Sequence, residues 1–143
     1  MKISVSILMI LFFLTSACSE AVDSEYSTWG AAKKENAIRT GLLPEWLPET
    51  SRQITVAYDV GTNEKIVAFH YKASEGWDPL ELCKKIDPFD PPKPKITRAW
   101  WPEDVPANKA STPQLTFYTC ENGGSFLAAN LKGGQAFYWN TKI

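Results

Sequence analysis

Side chains suited to acid–base or nucleophilic catalysis are sparse in this sequence. His70 is the only histidine among the 143 residues, and histidine is the side chain whose ordinary pKa lies closest to neutrality. It alternates with Phe69 and Tyr71, which predicts a solvent-facing position on a strand. No G-x-S-x-G motif is present that would hold a serine nucleophile in a strained turn. We therefore predict no catalytic triad and expect no enzyme activity.

Oxygen ligands for a cation are concentrated between Asp59 and Glu64. Thr62 and Asn63 lie in the same stretch, but the spacing differs from that of an EF-hand calcium loop. Asp and Asn are also ordinary turn residues, because their side chains accept hydrogen bonds from the backbone that follows. The chain has no C-x-x-C pair and a single histidine, which argues against zinc. We therefore predict a turn here, no metal site and no cofactor.

Four carboxylates lie in the proline-rich stretch from residue 87 to about residue 113. Two of them could serve as general acid and general base in a small cell-wall hydrolase if the fold placed them across a cleft. The alternative is that all four are solvated acids of a loop. They are Asp87, Asp90, Glu103 and Asp104.

Aromatic residues are concentrated in the same stretch. Phe89, Trp100 and Trp101 lie among prolines that exclude regular structure from residue 87 to about residue 113. Exposed aromatic side chains on a rigid loop are typical of a binding surface, whereas six tryptophans in a small domain can also fill a core. A loop of this length is either a binding feature or a segment tied down on the domain. We take these three aromatic residues as candidate binding residues.

The N-terminus has the features of a secretory signal. Lys2 is followed by an apolar run over residues 3–14 and then by the small-residue sequence TSAC. This order of basic, apolar and small-residue regions predicts cleavage. A transmembrane anchor is the less favoured alternative, because a spanning helix needs about 20 apolar residues.

The sequence LTSAC at residues 14–18 resembles the lipobox of bacterial lipoproteins. The resemblance implies that residues 1–17 are removed and that Cys18 becomes the first mature residue, diacylated on sulfur and acylated on its amino group. Lipid chains of this number hold a protein stably at a membrane, and we expect residues 18–25 to form a lipidated, mobile spacer. Ser19, rather than aspartate, follows the cysteine, which implies the outer membrane facing the periplasm. A plain secretory signal cut near the same point is the alternative.

The predicted pairing of the two remaining cysteines depends on that resemblance. With Cys18 lipidated, Cys83 and Cys120 are an even pair in an oxidising compartment, where structural disulfides persist. We predict that they form a disulfide, which would stabilise the fold by about 3–4 kcal/mol in the chain-entropy description. Two buried free thiols are the alternative.

Residues 51–72 predict a β-hairpin that forms the nucleus of a sheet. Apolar and polar side chains alternate through ITVAY and again through VAFHY, and the sequence DVGTN between them is rich in turn formers. A helix is predicted over about residues 28–39, capped by Ser27 or Thr28 and ended at Gly41. Asp78 and Pro79 predict the start of a second, short helix.

Three further strands are predicted near the C-terminus, over residues 115–121, 125–131 and 135–140, separated by NGG and KGG turns. Together with the hairpin they predict an α+β domain over residues 26–143, with an antiparallel sheet of about five strands and one or two short helices. With 44% hydrophobic and 22% charged residues, the length favours one domain. The net charge of −1 provides no attraction for nucleic acid.

Several short motifs are shared with known proteins. The runs YSTW, GLLPEWLP and DVGTNE, with WWP and AFYW later in the chain, resemble a set of uncharacterised small bacterial proteins, many of them lipoproteins, marked by a tryptophan-leucine-proline turn and a D-x-x-T-N hairpin. That resemblance spans most of the mature chain and implies no activity. The sequence YTCENGGSF resembles the strand and turn of membrane-bound lysozyme inhibitors over those nine residues only.

These features together predict a lipid-anchored protein of the bacterial cell envelope. We expect it to bind a protein or another envelope component through residues 89–106. A small hydrolase that uses the loop carboxylates and a purely structural envelope component are the alternatives.

Overall fold

An antiparallel sheet of seven strands organises the chain in the computed structural model, which describes residues 21–87, 90–106 and 114–141. Across the sheet the strand order is β1-β2-β3-β7-β6-β5-β4. The one α-helix in the described ranges, α1, spans Trp29–Lys34. The strands are β1 (Ala21–Thr28), β2 (Arg52–Asp59), β3 (Lys65–His70), β4 (Cys83–Lys85), β5 (Thr116–Cys120), β6 (Ser125–Asn130) and β7 (Gln135–Asn140).

The predicted hairpin and the predicted C-terminal meander are both confirmed. β2 pairs with β3, and β5, β6 and β7 pair in succession, all antiparallel. The two groups join because β3 lies beside β7, with Lys65 opposite Asn140 and His70 opposite Gln135. Turn-forming residues between alternating stretches therefore located five of the seven strands.

The prediction of an α+β fold with about five strands and one or two helices is wrong, because two outer strands were missed. β1 pairs with β2, and β4 pairs with β5. In β1 only Tyr26 is buried, and β4 has three residues, so neither provides the apolar alternation from which strands are predicted. β1 also contains residues 21–25, and the prediction of a mobile spacer is wrong for these residues.

Helix α1 begins where predicted and ends early. The side chain of Thr28 accepts a hydrogen bond from the backbone N–H of Ala31 at 3.1 Å, which is the expected N-cap. The helix ends at Lys34 rather than near residue 39. Asn36 has a φ of 62°, a left-handed conformation that ends the regular helix before the predicted stop at Gly41.

The second predicted helix is a single 3₁₀ turn, Pro79–Glu81. Its start is as expected, since the Asp78 carboxylate accepts a hydrogen bond from the backbone N–H of Leu80 at 2.9 Å. The chain then leaves the helical conformation because Cys83 pairs with Cys120 at the start of β4. Pairing with a strand distant in sequence has overridden a local helix signal.

Different parts of the chain cover the two faces of the sheet. Helix α1, residues 35–50 and residues 71–82 pack on one face, which we call the helix face. Residues 90–106 pack on the other, the loop face. In β3, Val67 and Phe69 belong to the helix-face core, whereas Ile66 belongs to the loop-face core. Because both faces are covered, five of the six residues of β6 are buried.

The predicted signal peptide, residues 1–17, and the predicted lipidation site at Cys18 lie outside the described residues. Both therefore stay predictions. Within the described ranges, no helix has the length and apolar character needed to cross a membrane.

Candidate functional site

Residues 90–106 cross the loop face and are held there by two tryptophan side chains. Trp101 is 8% exposed, and its ring lies edge-on to those of Phe137 and Trp139 at centroid distances of 5.5 and 5.8 Å. The indole N–H of Trp101 donates a hydrogen bond to the carbonyl of Val105, and that of Trp139 donates to the carbonyl of Pro92, both at 2.9 Å. Edge-to-face packing with both N–H groups paired restricts the loop to one path over the sheet.

Two ion pairs attach the same loop to β1 and to the turn between β2 and β3. The Nε atom of Arg98 lies 2.9 and 3.0 Å from the two carboxylate oxygens of Asp23, and a terminal nitrogen of Arg98 donates to the carbonyl of Ala21 at 2.7 Å. The Nζ atom of Lys95 lies 3.1 Å from the buried carboxylate of Glu64. The hydrogen bond from Arg98 holds the pKa of Asp23 below its usual value. The loop is thus attached at the end of the sheet where β1 begins.

The three candidate binding residues differ in what the structure says of them. Trp101 belongs to the loop-face core, so of the two alternatives for this residue, core filling is the one observed. Trp100 is half-buried, and its ring centroid lies 6.2 Å from that of Trp101. Phe89 lies outside the described residues. The assignment of Trp100 and Phe89 to a binding surface stays a prediction.

A groove of about 720 Å³ is lined by residues of this loop. Ile96, Trp101 and Val105 line it and are buried, so its floor is apolar. Thr97 and Ala99 line it and are exposed. Side chains of both charges also border the groove. They are Lys93, Arg98, Glu103 and Asp104.

The structure brings two of the four candidate catalytic carboxylates to this groove. Glu103 and Asp104 line it, whereas Asp87 and Asp90 do not. His70 ends β3 and lies opposite Arg52 of β2. Two of the four loop carboxylates therefore line the groove, and the hydrolase alternative, which needs two, stays a prediction.

Asp59 shapes the turn between β2 and β3. Its carboxylate accepts hydrogen bonds from the backbone N–H groups of Gly61 at 2.8 Å and Thr62 at 3.1 Å. This is the turn chemistry predicted from the sequence. Among the residues that the structure describes, no group of three or more His, Cys, Asp or Glu side chains is arranged to hold a metal ion.

The predicted disulfide between Cys83 and Cys120 is confirmed. The two residues lie directly opposite each other in β4 and β5, with their Cα atoms 4.4 Å apart. Both side chains are buried. The bond joins positions separated by 37 residues, and the whole covering loop lies within that separation. The disulfide therefore restricts the freedom of the segment that covers the loop face.

Sequence reasoning missed a group of buried tyrosines on the helix face. The hydroxyl of Tyr71 donates to the carbonyl of Asn130 at 2.9 Å, and that of Tyr138 donates to the carboxylate of Glu121 at 3.2 Å. Burial raises the pKa of Tyr71 to about 12 and also raises the pKa of Tyr138. Both phenols are therefore protonated donors within the core. Tyr71 continues the alternation of the residues of β3, and Tyr138 lies in β7, and these positions were the available signal.

The comparison with protein families gives one match. Residues 20–70, about a third of the chain, match a family model described as YbbD head domain. The matched region contains β1, α1, β2 and β3. It confirms in part the expected likeness to a known family, and its description names a domain and no activity. No significant match was found among curated proteins or among solved structures.

Proposed function

We propose that the protein is a lipid-anchored protein of the bacterial cell envelope whose domain binds a polypeptide segment in the groove of residues 90–106. The observation that carries the proposal is the groove itself, with a buried apolar floor and side chains of both charges around it. A floor of this kind accepts an apolar side chain, and the mixed charges give a polypeptide direction and register.

The fixed path of the loop favours binding. Arg98 and Lys95 attach it to Asp23 and Glu64, and the indole N–H of Trp139 attaches it through the carbonyl of Pro92. The indole N–H of Trp101 fixes the loop internally, through the carbonyl of Val105. A surface that is already ordered before it meets its partner loses less conformational entropy on binding. The loop of residues 90–106 therefore loses less conformational entropy on binding than a mobile loop of the same composition would.

The charge around the groove favours a polypeptide over other ligands. Lys93 would attract a carboxylate, while Glu103 and Asp104 would repel a polyanion such as nucleic acid or a phosphorylated polymer. A segment that carries both an acidic and a basic side chain, separated by an apolar one, meets every group of the lining.

The proposed location rests on the N-terminal sequence. The lipobox-like sequence LTSAC predicts acylation of Cys18, and Ser19 after it favours the outer membrane facing the periplasm. The disulfide between Cys83 and Cys120 suits such a compartment, because disulfides persist where the surroundings are oxidising.

The test is site-specific photo-crosslinking in the cells that produce the protein. A photoreactive amino acid replaces Ala99, which is exposed in the groove, or Ser74, which is exposed on the segment covering the helix face. We expect a protein adduct of defined mass from position 99 and none from position 74. The same adduct from both positions, or none from either, would contradict the proposal, and the second result would favour a purely structural envelope component.

A blocking variant makes the assignment specific. Thr97→Arg adds a long side chain to the groove, whereas Ser74→Arg makes the matched change on the helix face. We expect Thr97→Arg to remove the adduct formed from position 99 and Ser74→Arg to leave it. Thermal unfolding of both variants verifies that each is folded, since exposed substitutions of this kind change stability little.

A further inference from the structure

We infer that the tip of the β2–β3 hairpin, which includes the exposed Val60, lies against the lipid bilayer, so that the domain is held with one end of its sheet on the membrane. The inference rests on the lipid anchor of the proposed function and goes beyond it, because an anchor alone does not orient a domain. Three observations carry it: the length of chain between anchor and sheet, the strand register and the exposure of Val60.

The chain between the lipidated residue and the sheet is short. Strand β1 begins at Ala21, three residues after Cys18, and three fully extended residues span at most about 11 Å. The polar layer on each side of a bilayer is roughly 5–8 Å thick. With its acyl chains in the hydrocarbon, Cys18 therefore keeps the start of β1 at the surface of the head groups.

The start of β1 cannot readily detach to lengthen this connection. Arg98 donates a hydrogen bond to the carbonyl of Ala21 and pairs with the carboxylate of Asp23, two residues further on. Ala21 also pairs with Asp59 in the sheet. Fraying of β1 would break these contacts together.

Strand register then places the hairpin tip beside the anchor. Ala21 lies opposite Asp59, and Val60 is the next residue in the turn. Directly opposite Cα atoms of antiparallel strands are about 4.5–5.5 Å apart. β2 and β3 are the first and second neighbours of β1. Neighbouring strands are rotated by only about 20–25° each, so this turn still points toward the end at which β1 begins.

Val60 has the chemistry of a residue at a lipid surface. Its side chain is 70% exposed at a turn tip, where glycine, asparagine, aspartate and serine are the usual residues. The turn is rigid, because the Asp59 carboxylate accepts two backbone hydrogen bonds within it. Val22, the second residue of β1, is also exposed. Two apolar side chains next to the anchor would leave water on contact with the bilayer.

The test uses the full-length lipidated protein in vesicles that contain head-group-quencher lipids. Val60→Cys and Ser74→Cys each provide one free thiol for an environment-sensitive fluorophore, since Cys83 and Cys120 are joined and buried. Ser74 follows the opposite end of β3 and is exposed, and a six-residue strand separates the two ends by about 20 Å. We expect the probe at position 60 to lose most of its fluorescence and the probe at position 74 to lose none.

The intact mass of the same preparation distinguishes failure of the orientation from failure of the anchor. A triacylated, vesicle-bound protein whose two probes are quenched equally, or not at all, would overturn the orientation and leave the anchor in place. A mass without acyl chains would overturn the anchor, and the orientation with it. Quenching confined to position 60 in the acylated protein supports both.

Discussion

The two faces of the sheet are covered in different ways. On the helix face, α1, residues 35–50 and residues 71–82 contribute many apolar side chains, and the polar groups within this layer include the tyrosine hydroxyls. On the loop face, the short segment of residues 90–106 supplies the covering, and Trp101 is the large side chain at its centre. The helix face depends on many contacts, whereas the loop face depends on a few.

The difference shows how an irregular segment is given one conformation. Residues 90–106 have no helix or strand hydrogen bonds to direct them, so indole N–H groups and the ion pairs of Arg98 and Lys95 do so instead. Apolar burial is not directional, whereas a hydrogen bond or a paired guanidinium specifies position. A surface that must present a groove benefits from attachment through hydrogen bonds and ion pairs.

The largest expected effect comes from removing the centre of the loop-face cover. Trp101→Ala should lower the free energy of unfolding by about 3–5 kcal/mol, the usual range for truncating a buried tryptophan. The loss combines the contacts with Phe137 and Trp139 and the hydrogen bond to Val105. Equilibrium unfolding in urea measures it.

A matched pair of phenylalanine variants separates packing from hydrogen bonding. Trp101→Phe leaves the Val105 carbonyl without its donor and should cost about 1–3 kcal/mol. Trp46→Phe on the helix face removes an indole N–H that is buried without a hydrogen-bond partner within the described residues, so its loss should be smaller. Equal losses in the two variants would contradict the proposed difference between the faces.

The disulfide should matter next, and mainly for the loop face. Replacing Cys83 and Cys120 together by alanine should lower the free energy of unfolding by about 3–4 kcal/mol, because the bond closes the segment that contains residues 90–106. Hydrogen exchange should show a larger loss of protection at Ile96, Trp101 and Val105 than at Ala32 in α1. A larger loss at Ala32 would contradict this assignment.

Alkaline pH should destabilise the helix face. The pKa of Tyr71 is raised by burial to about 12, compared with about 10 in an unfolded chain. Its stabilising contribution is therefore fully present below pH 10 and is lost as the pH rises toward 12, at about 1.4 kcal/mol per pH unit. Unfolding free energies at pH 7, 10 and 11.5 measure the loss. Tyr71→Phe should lessen it, and an unchanged loss in that variant would contradict the assignment to Tyr71.

Acidic pH should destabilise the loop face, by a smaller amount. Asp23 has a pKa lowered mainly by its hydrogen bond from Arg98, so its stabilising contribution is present above the unfolded pKa of about 3.9. The contribution is lost as the pH falls through the lowered pKa. Because the side chain is 47% exposed, the pair should contribute less than about 1 kcal/mol. The difference in unfolding free energy between wild type and Asp23→Asn should therefore disappear at low pH. A difference that does not change with pH would contradict the assignment to Asp23.

Local signals were sufficient for most of the sheet. The hairpin strands were located from the alternation in ITVAY and VAFHY, and the meander strands from apolar stretches separated by NGG and KGG turns. β1 and β4 were missed because an outer strand has hydrogen bonds on one side only and can be polar or short. The cap residues Thr28 and Asp78 were correctly identified, but the lengths of the elements that follow them were not.

The candidate site was less predictable than the sheet. The proline-rich loop was recognisable, yet the contact of Arg98 with Asp23 joins residues 75 positions apart, and no local pattern indicates such a pair. Trp100 and Trp101 are neighbours in sequence with similar chemistry, and one lies in the core while the other is half-buried. Only the path of the loop over the sheet distinguishes them.

Periodicity, turn residues and helix caps are local properties, so the five strands of the hairpin and the meander, the cap positions and the even cysteine pair could be derived from the chain alone. The outer strands β1 and β4, the shortening of both helices and the placement of Trp101 depend on contacts between segments distant in sequence. Backbone groups of β1 and β4 pair because β2 and β5 already offer a free edge. The groove exists because Arg98, Lys95 and the indole N–H of Trp139 meet partners that folding brings within reach.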